Sequence, residues 1–393
     1  MVNAVYDHIF AIIIVGIIFV SAVVALPAMS LINIRAVDQQ QLRNIALNVF
    51  NALLLDTGEP ANWGSFLDFQ MNDPRIKRFG LASAEDSAFY VLDPDKVQRL
   101  VVGNPLNYCD YNKVRELLKL QDYGFRLRII PPFNVSFLSH SVDNKILNYK
   151  ARVSYLDGRP IPNAKCNATV VYTKDQNYFY INQSGPVETD AMGICEDNIP
   201  LKVQPDYYTV VLRVTVADVA TLVVISGQTI KNTIARINIV YNTIVLSSWK
   251  DPPNYNAGPG ESSENVWIFD IVAFGSDGSV RKLFEDHTKG TGNKFNSGKG
   301  PFIRWYRDFP GLHDFEPVVL IFNFWAEPEN STKPGRQQVL ISMAYPDILG
   351  TSIFNYGGIP ESSGSSVTVQ RSVIISGMTY IAELTLWKES HGI

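Results

Sequence analysis

Two cysteines carry the clearest chemistry in this sequence. Cys166 opens the β-branched segment NATVVY (Asn167–Tyr172), and Cys195 follows the turn TDAMG. Two strands of one sandwich would bring such residues to the Cα separation of ~5.5–6 Å that a disulfide needs. With 28 residues between them, closing that loop is worth about 3–4 kcal/mol in the chain-entropy account. The expectation is a Cys166–Cys195 disulfide, and with it an oxidising compartment. Three unrelated thiols are the alternative. Cys109 has no obvious partner and is expected to be buried or free.

Four glycosylation sequons begin at Asn134, Asn167, Asn182 and Asn330. In a chain this rich in Asn, Ser and Thr, about three arise by chance, so they fit an exterior location without establishing one. Catalytic and metal patterns are sparse. The five histidines (8, 140, 287, 313 and 391) are scattered and form no HExxH pair, and no GxSxG elbow or DxDxDG calcium loop occurs. The segment GTGNKFNSGKG superficially resembles a phosphate loop. However, Asn293 stands where its first glycine belongs, and Gly300 follows Lys299 in place of Ser or Thr. His313 and Asp314 are adjacent, but neighbours on a loop point apart. Asp93, Asp95 and Asp110 read as helix caps before they read as cation ligands. The expectation is therefore no enzyme, no cofactor and no metal centre. A cleft converging His287, His313 and Asp314 would revive an ectoenzyme.

The elements that would position these residues begin with an apolar run. Ile9–Ile32 contains 24 residues and no charge. As a helix it would measure about 36 Å, against the ~20 apolar residues a bilayer core requires. Ile9, Ile13, Ile17, Val20, Val24 and Leu31 lie along this expected anchor, and Pro27 should kink it. Beyond Arg35, Val37, Leu42, Ile45, Ala46, Val49 and Leu53 recur at helical spacing. One helix from about Tyr6 to Leu55 accounts for both halves, the second able to pack on a head domain, with Gly58 and Pro60 as its stop. Two helices divided near Asn33 are the alternative. Arg35 and Arg43 follow the run while residues 1–8 hold no Lys or Arg, so the positive-inside rule taken literally keeps the following part cytoplasmic. Long domains translocate largely regardless of charge, and the cysteine pair favours the outside.

Residues 57–132 read as a mixed α/β neck. It holds capped helices at Pro94–Val101 and Tyr111–Leu120 and a strand at Phe125–Ile130. Residues 133–233 and 234–393 read as two antiparallel β-sandwich-like domains built from short β-branched and aromatic runs, the second containing long loops at 284–300 and 357–366. The fold class is thus mostly β with an N-terminal transmembrane α-helix, divided as 1–56, 57–132, 133–233 and 234–393. Composition agrees: hydrophobic residues make up 46% and charged residues only 18%, below the ~25% of an average soluble protein. A net charge of −4 offers no basic footprint for nucleic acid.

As an ordered set, the apolar helix with its amphipathic continuation, DTGEPANWG (Asp56–Gly64), FGLAS (Phe79–Ser83), YVLDPDKVQRL (Tyr90–Leu100) and YNKVRELLKLQDYGFRLRI (Tyr111–Ile129) resemble archaeal type IV pilin-like membrane proteins. The resemblance covers about a third of the chain. It implies a single-helix surface protein whose helices bundle in filaments while β heads face outward. Processed members carry a short basic leader before the apolar run, and none stands here. The chain is expected either to begin after processing or to remain in the membrane. RPIPNAKCNATVVY with TDAMGICEDNIP is similar to carboxypeptidase-regulatory or immunoglobulin-like surface domains. Together these features predict a non-enzymatic cell-membrane protein, single-pass, with its C-terminal domains extracellular. It would act in assembly or adhesion, associating with itself or other envelope proteins through the N-terminal helix. An anchored receptor taking a sugar or peptide on loops 284–300 and 357–366 is the second expectation.

Overall fold

The computed structural model describes residues 14–21, 38–86, 88–102, 104, 108–174, 178–227, 234–248, 265–288, 294–297, 304–327, 337–346, 353–360 and 365–389. Residues 14–21 and 38–55 are helical, and we label the second segment α1. Among the described residues no helix is long and apolar enough to cross a membrane. Ile9, Ile13, Val24 and Leu31 lie outside the described residues. The amphipathic continuation forms as its spacing predicts: Leu42, Ala46, Val49, Phe50, Leu53 and Leu54 make one buried stripe on α1. The chain turns at Asp56, whose carboxylate accepts the Gly58 amide at 2.8 Å, and Gly58 adopts φ +77°.

Two short helices follow. Asp93 caps α2 (Pro94–Gln98), and Asp110 caps α3 (Tyr111–Leu117), each side chain accepting the two amides expected of an N-cap. Both helices end about three residues earlier than the apolar pattern predicts. Trp63 is fully buried between Phe69 and Phe79, and its indole N–H donates to the Gly80 carbonyl at 3.0 Å.

The rest is β. In chain order the strands are β1 (Val91–Leu92), β2 (Tyr123–Ile130), β3 (Asn134–Asp143), β4 (Ile146–Ser154), β5 (Lys165–Lys174), β6 (Tyr178–Gln183), β7 (Val187–Glu188), β8 (Ile194–Pro200), β9 (Tyr207–Val216) and β10 (Val219–Ser226). They continue with β11 (Ile234–Val240), β12 (Thr243–Ser248), β13 (Asn265–Phe274), β14 (Val280–Glu285), β15 (Asn296–Ser297), β16 (Arg304–Asp308), β17 (Val319–Glu327), β18 (Gln337–Ala344), β19 (Phe354–Gly357), β20 (Ser366–Ile375) and β21 (Met378–Lys388).

Sheets β10-β9-β5-β6 (with β7 on β5) and β3-β4-β8 form the first sandwich. Its core joins Val135, Tyr149, Val153, Val170, Leu212 and Val214 across the two sheets. Sheets β11-β12-β16-β15 and β14-β13-β17-β18 form the second, around Ile239, Ile244, Ile271, Phe322 and Phe324.

The fifth sheet corrects the expected domain division. Its order is β1-β20-β21-β2-β19, so residues 354–388 belong to the neck and not to the last sandwich. Register explains the strength of this closure. Phe125, Leu127 and Ile129 of β2 stand opposite Leu386, Leu384 and Ala382 of β21 on the buried face. On the other face Arg128 meets Glu383 at 2.6 Å. Trp387 lies across Gly124, where a β-carbon would meet its ring at 2.4 Å. Local alternation does not say which strand another will pair with, which is why the linear division placed these strands with their sequence neighbours.

The three β units also share apolar surface. Val171, Val211 and Leu222 face away from the first sandwich's own core. They join Val319, Ile321 and Leu340 of the second sandwich and Tyr380 and Leu384 of the neck in one cluster. This explains why β5 is buried on both faces over Ala168–Thr173.

Candidate functional site

Where the neck meets the second sandwich, polar groups are concentrated in the interior. Asp95 of α2 is buried, and its carboxylate accepts four hydrogen bonds. The donors are Ser65 Oγ at 2.7 Å, Gln98 Nε2 at 2.9 Å, the Tyr241 amide at 2.9 Å and Tyr345 Oη at 2.5 Å. Gln98 also donates to the Ile239 carbonyl at 2.7 Å. Lys96 is buried, donates to the Ala82 carbonyl at 2.7 Å and lies 3.4 Å from Asp93. Burial lowers the Lys96 ammonium's pKa. Burial, reinforced by the charge of Asp95, pushes the Asp93 carboxyl up to about 6. Arg99, also buried, donates to the Gly64 and Phe66 carbonyls and covers the Phe69 ring. These groups hold one another, and Asp93 and Asp110 act as caps. The arrangement is a polar joint between domains.

Beside the joint lies a cavity of about 210 Å³, bordered by Ser83, Glu85, Pro94, His313, Tyr345 and Ser376. Small-molecule pockets usually enclose ~300–1,000 Å³. His313 Nε2 lies 2.9 Å from Glu85 Oε2, and its ring lies 4.4 Å from that of Tyr241. Asp314 is exposed and does not border this cavity. His287 keeps different company, against Phe269, Asp270 and Glu285. The structure therefore does not bring His287, His313 and Asp314 into one cleft.

The His287 group is the feature that reading the sequence misses. Asp270 on β13 is fully buried, pairs in register with Glu285 on β14 and with Asn323 on β17, and receives Asn323 Nδ2 on Oδ2 at 2.8 Å. Its Oδ1 lies 3.3 Å from His287 Nε2 and 3.3 Å from Lys282 Nζ. Glu285 Oε1 lies 3.5 Å from His287 Nε2 and 2.8 Å from Lys282 Nζ. Burial raises the pKa of Asp270. The linear signal was one acid inside the apolar run VWIFDIVAF and the tetrapeptide FEDH (Phe284–His287). Hairpin register alone joins them.

Cys166 and Cys195 occupy facing sheets of the first sandwich, buried in the same core. They are free thiols in this structure, as is buried Cys109. A hydrogen bond between the two sulfurs raises the pKa of the Cys166 thiol, with burial adding to it, and lowers that of Cys195. Among the sequons, Asn167 is exposed and Asn134 half-buried. Asn182 is engaged on both sides, donating to the Pro200 carbonyl at 2.7 Å and accepting from Tyr172 at 3.1 Å. Asn330 lies outside the described residues, as do residues 289–293, 298–300 and 361–364 of the two long loops. Ile17 and Val20 sit in helical segment 14–21, where both are exposed.

No family model matches the chain, and no curated protein matches it. Among solved structures, the chain has 10% identity and a TM-score of 0.22 to trypsin-activated alpha-2-macroglobulin from Escherichia coli, covering 61% of this chain and 19% of that one. It has 9% identity and the same TM-score to Salmonella alpha-2-macroglobulin reacted with methylamine, covering 61% and 17%. The chain spans about a fifth of the length of these proteins. Likeness at this level carries no argument about function.

Proposed function

We propose that this is a non-enzymatic, membrane-anchored surface protein of pilin-like type that acts in assembly or adhesion. In this reading the apolar N-terminal helix holds it in the membrane and associates with further copies or other envelope proteins, and the β domains project outside. The observation that carries the reading is the helical segment 14–21. Ile14, Val15, Ile17, Ile18, Phe19 and Val20 are each more than half exposed, on every side of the helix. α1 behaves oppositely and buries its stripe in the neck. Apolar area costs about 25 cal/mol per Å² in water, so a helix apolar on all sides needs lipid or other apolar helices around it. The uncharged run Ile9–Ile32 supports the same conclusion by its length.

The test is fractionation of cells producing the full chain, with cysteine crosslinking at Ile17 and Val20. The reading predicts retention in carbonate-washed membranes, digestion of the head by protease added to intact cells, and crosslinked dimers or ladders from I17C and V20C. A protein that stays soluble and monomeric without detergent would overturn it.

A further inference from the structure

We propose that Asp270, Glu285 and His287 form a binding site for one divalent first-row transition cation, of which zinc is the natural probe. Three observations converge. First, one oxygen, one oxygen and one ring nitrogen from these residues all lie within 4.8 Å of one another. The His287 Nε2 separations, 3.3 Å to Asp270 Oδ1 and 3.5 Å to Glu285 Oε1, are close to the edge of a tetrahedron with bonds of ~2.0–2.1 Å, which is about 3.3–3.4 Å. Second, Asp270 is fully buried, yet its Oδ1 receives no hydrogen bond, while Asn323 holds Oδ2 and so fixes which oxygen faces His287. The Lys282 ammonium balances its charge from 3.3 Å, but a buried carboxylate oxygen without a hydrogen bond remains costly, and direct coordination of a cation would remove that cost. Third, the set joins one borderline imidazole to two hard carboxylates, a mixed N/O set that suits zinc, cobalt, manganese or iron(II), with water completing the sphere.

Lys282 now supplies the positive charge, at 3.3 Å from Asp270 and 2.8 Å from Glu285. Its geometry does not satisfy Oδ1 as a hydrogen bond. The ammonium also lies 5.5 Å from the centre of the Phe179 ring in the first sandwich. A metal ion would displace it from the carboxylates while leaving it that second, cation–π position. The backbone supports the placement. Both β13 and β14 carry an irregularity here, Phe269 and Leu283 being the extra residues, and the Phe269 ring stacks on His287. The ion would tie His287, just past the end of β14, to the buried centre of the sheet. It would thereby fix the start of the connection that runs from β14 to β15 within the second sandwich.

The test is zinc and cobalt binding to the detergent-solubilised full chain after chelator treatment, followed by calorimetry and visible absorption. The expected result is one equivalent bound per chain, a cobalt d–d spectrum, and affinity reduced at least 100-fold by H287Q and by E285Q. Both of these side chains are partly exposed, so their replacement leaves the sheet intact even if D270N fails to fold. Removing the competing ammonium with K282Q should tighten binding about tenfold. No stoichiometric binding, binding undiminished in H287Q, or weaker binding in K282Q would overturn the proposal.

Discussion

Asp93 and the cysteine pair carry the sharpest consequences at the scale of single residues. The folded Asp93 carboxyl has a pKa of about 6 because it is buried beside Asp95, whereas a free aspartate titrates near ~3.9. The fold therefore holds this proton more tightly than the unfolded chain does. The stabilising contribution is fully present below the unfolded value and is lost as pH rises through 6, a swing of about 2–3 kcal/mol. Asn caps a helix as well as Asp does, so D93N keeps the N-terminus of α2 but cannot titrate. Urea unfolding at pH 4.5 and 7.5 should show wild type gaining on D93N at the lower pH, and a difference independent of pH would refute the assignment. The cysteine expectation is equally direct. Cys166 and Cys195 face each other across the sandwich, so protein matured in an oxidising compartment should carry one disulfide and one free thiol, Cys109. Peptide mapping under alkylation checks this, and reduction should cost about 3–4 kcal/mol. Three alkylated thiols would show that the pair stays reduced.

At the scale of elements, α2 is too short to be stable alone, and its position comes from what it binds. Asp95 reaches Tyr345 beyond β18 and the Tyr241 amide between β11 and β12, so a five-residue helix docks the neck on the second sandwich. Y345F removes one donor from a buried carboxylate and should destabilise by about 1.5–3 kcal/mol, measured by urea denaturation. A loss below ~0.5 kcal/mol would mean the joint is not a structural connection. The strands follow another logic. Runs such as YYTVVLRVTV and MTYIAELTLW are legible as strands because β-branched and aromatic residues alternate or cluster. Tyr207–Val216 and Met378–Lys388 confirm that reading. The strand of Asn134–Asp143 was not legible, since SFLSHSVD exposes most of its side chains and carries no apolar periodicity.

For the whole molecule, the chain leaves the neck, builds two sandwiches and returns to close the sheet it began. A shared apolar cluster then joins all three units. α1 contributes its buried stripe from Leu42 onward, so a chain lacking residues 1–37 should keep the head folded and, if the proposed anchor holds, stay soluble without detergent. Size-exclusion chromatography without detergent and circular dichroism check this. Aggregation of the shortened chain would show that the apolar segment also serves the head.

The sequence alone determined the kinds of element present: an apolar run, an amphipathic helix, capped turns and many β-branched strands. These depend on local spacing and on side chains acting within a few residues of each other. The tertiary structure alone decided which strands are neighbours, that residues 354–388 complete the neck, and that Asp270 meets Glu285 and His287. Those outcomes depend on register between distant segments and on which buried faces cover one another. No single stretch of chain contains that information, because each strand would satisfy its own pattern equally well against several partners.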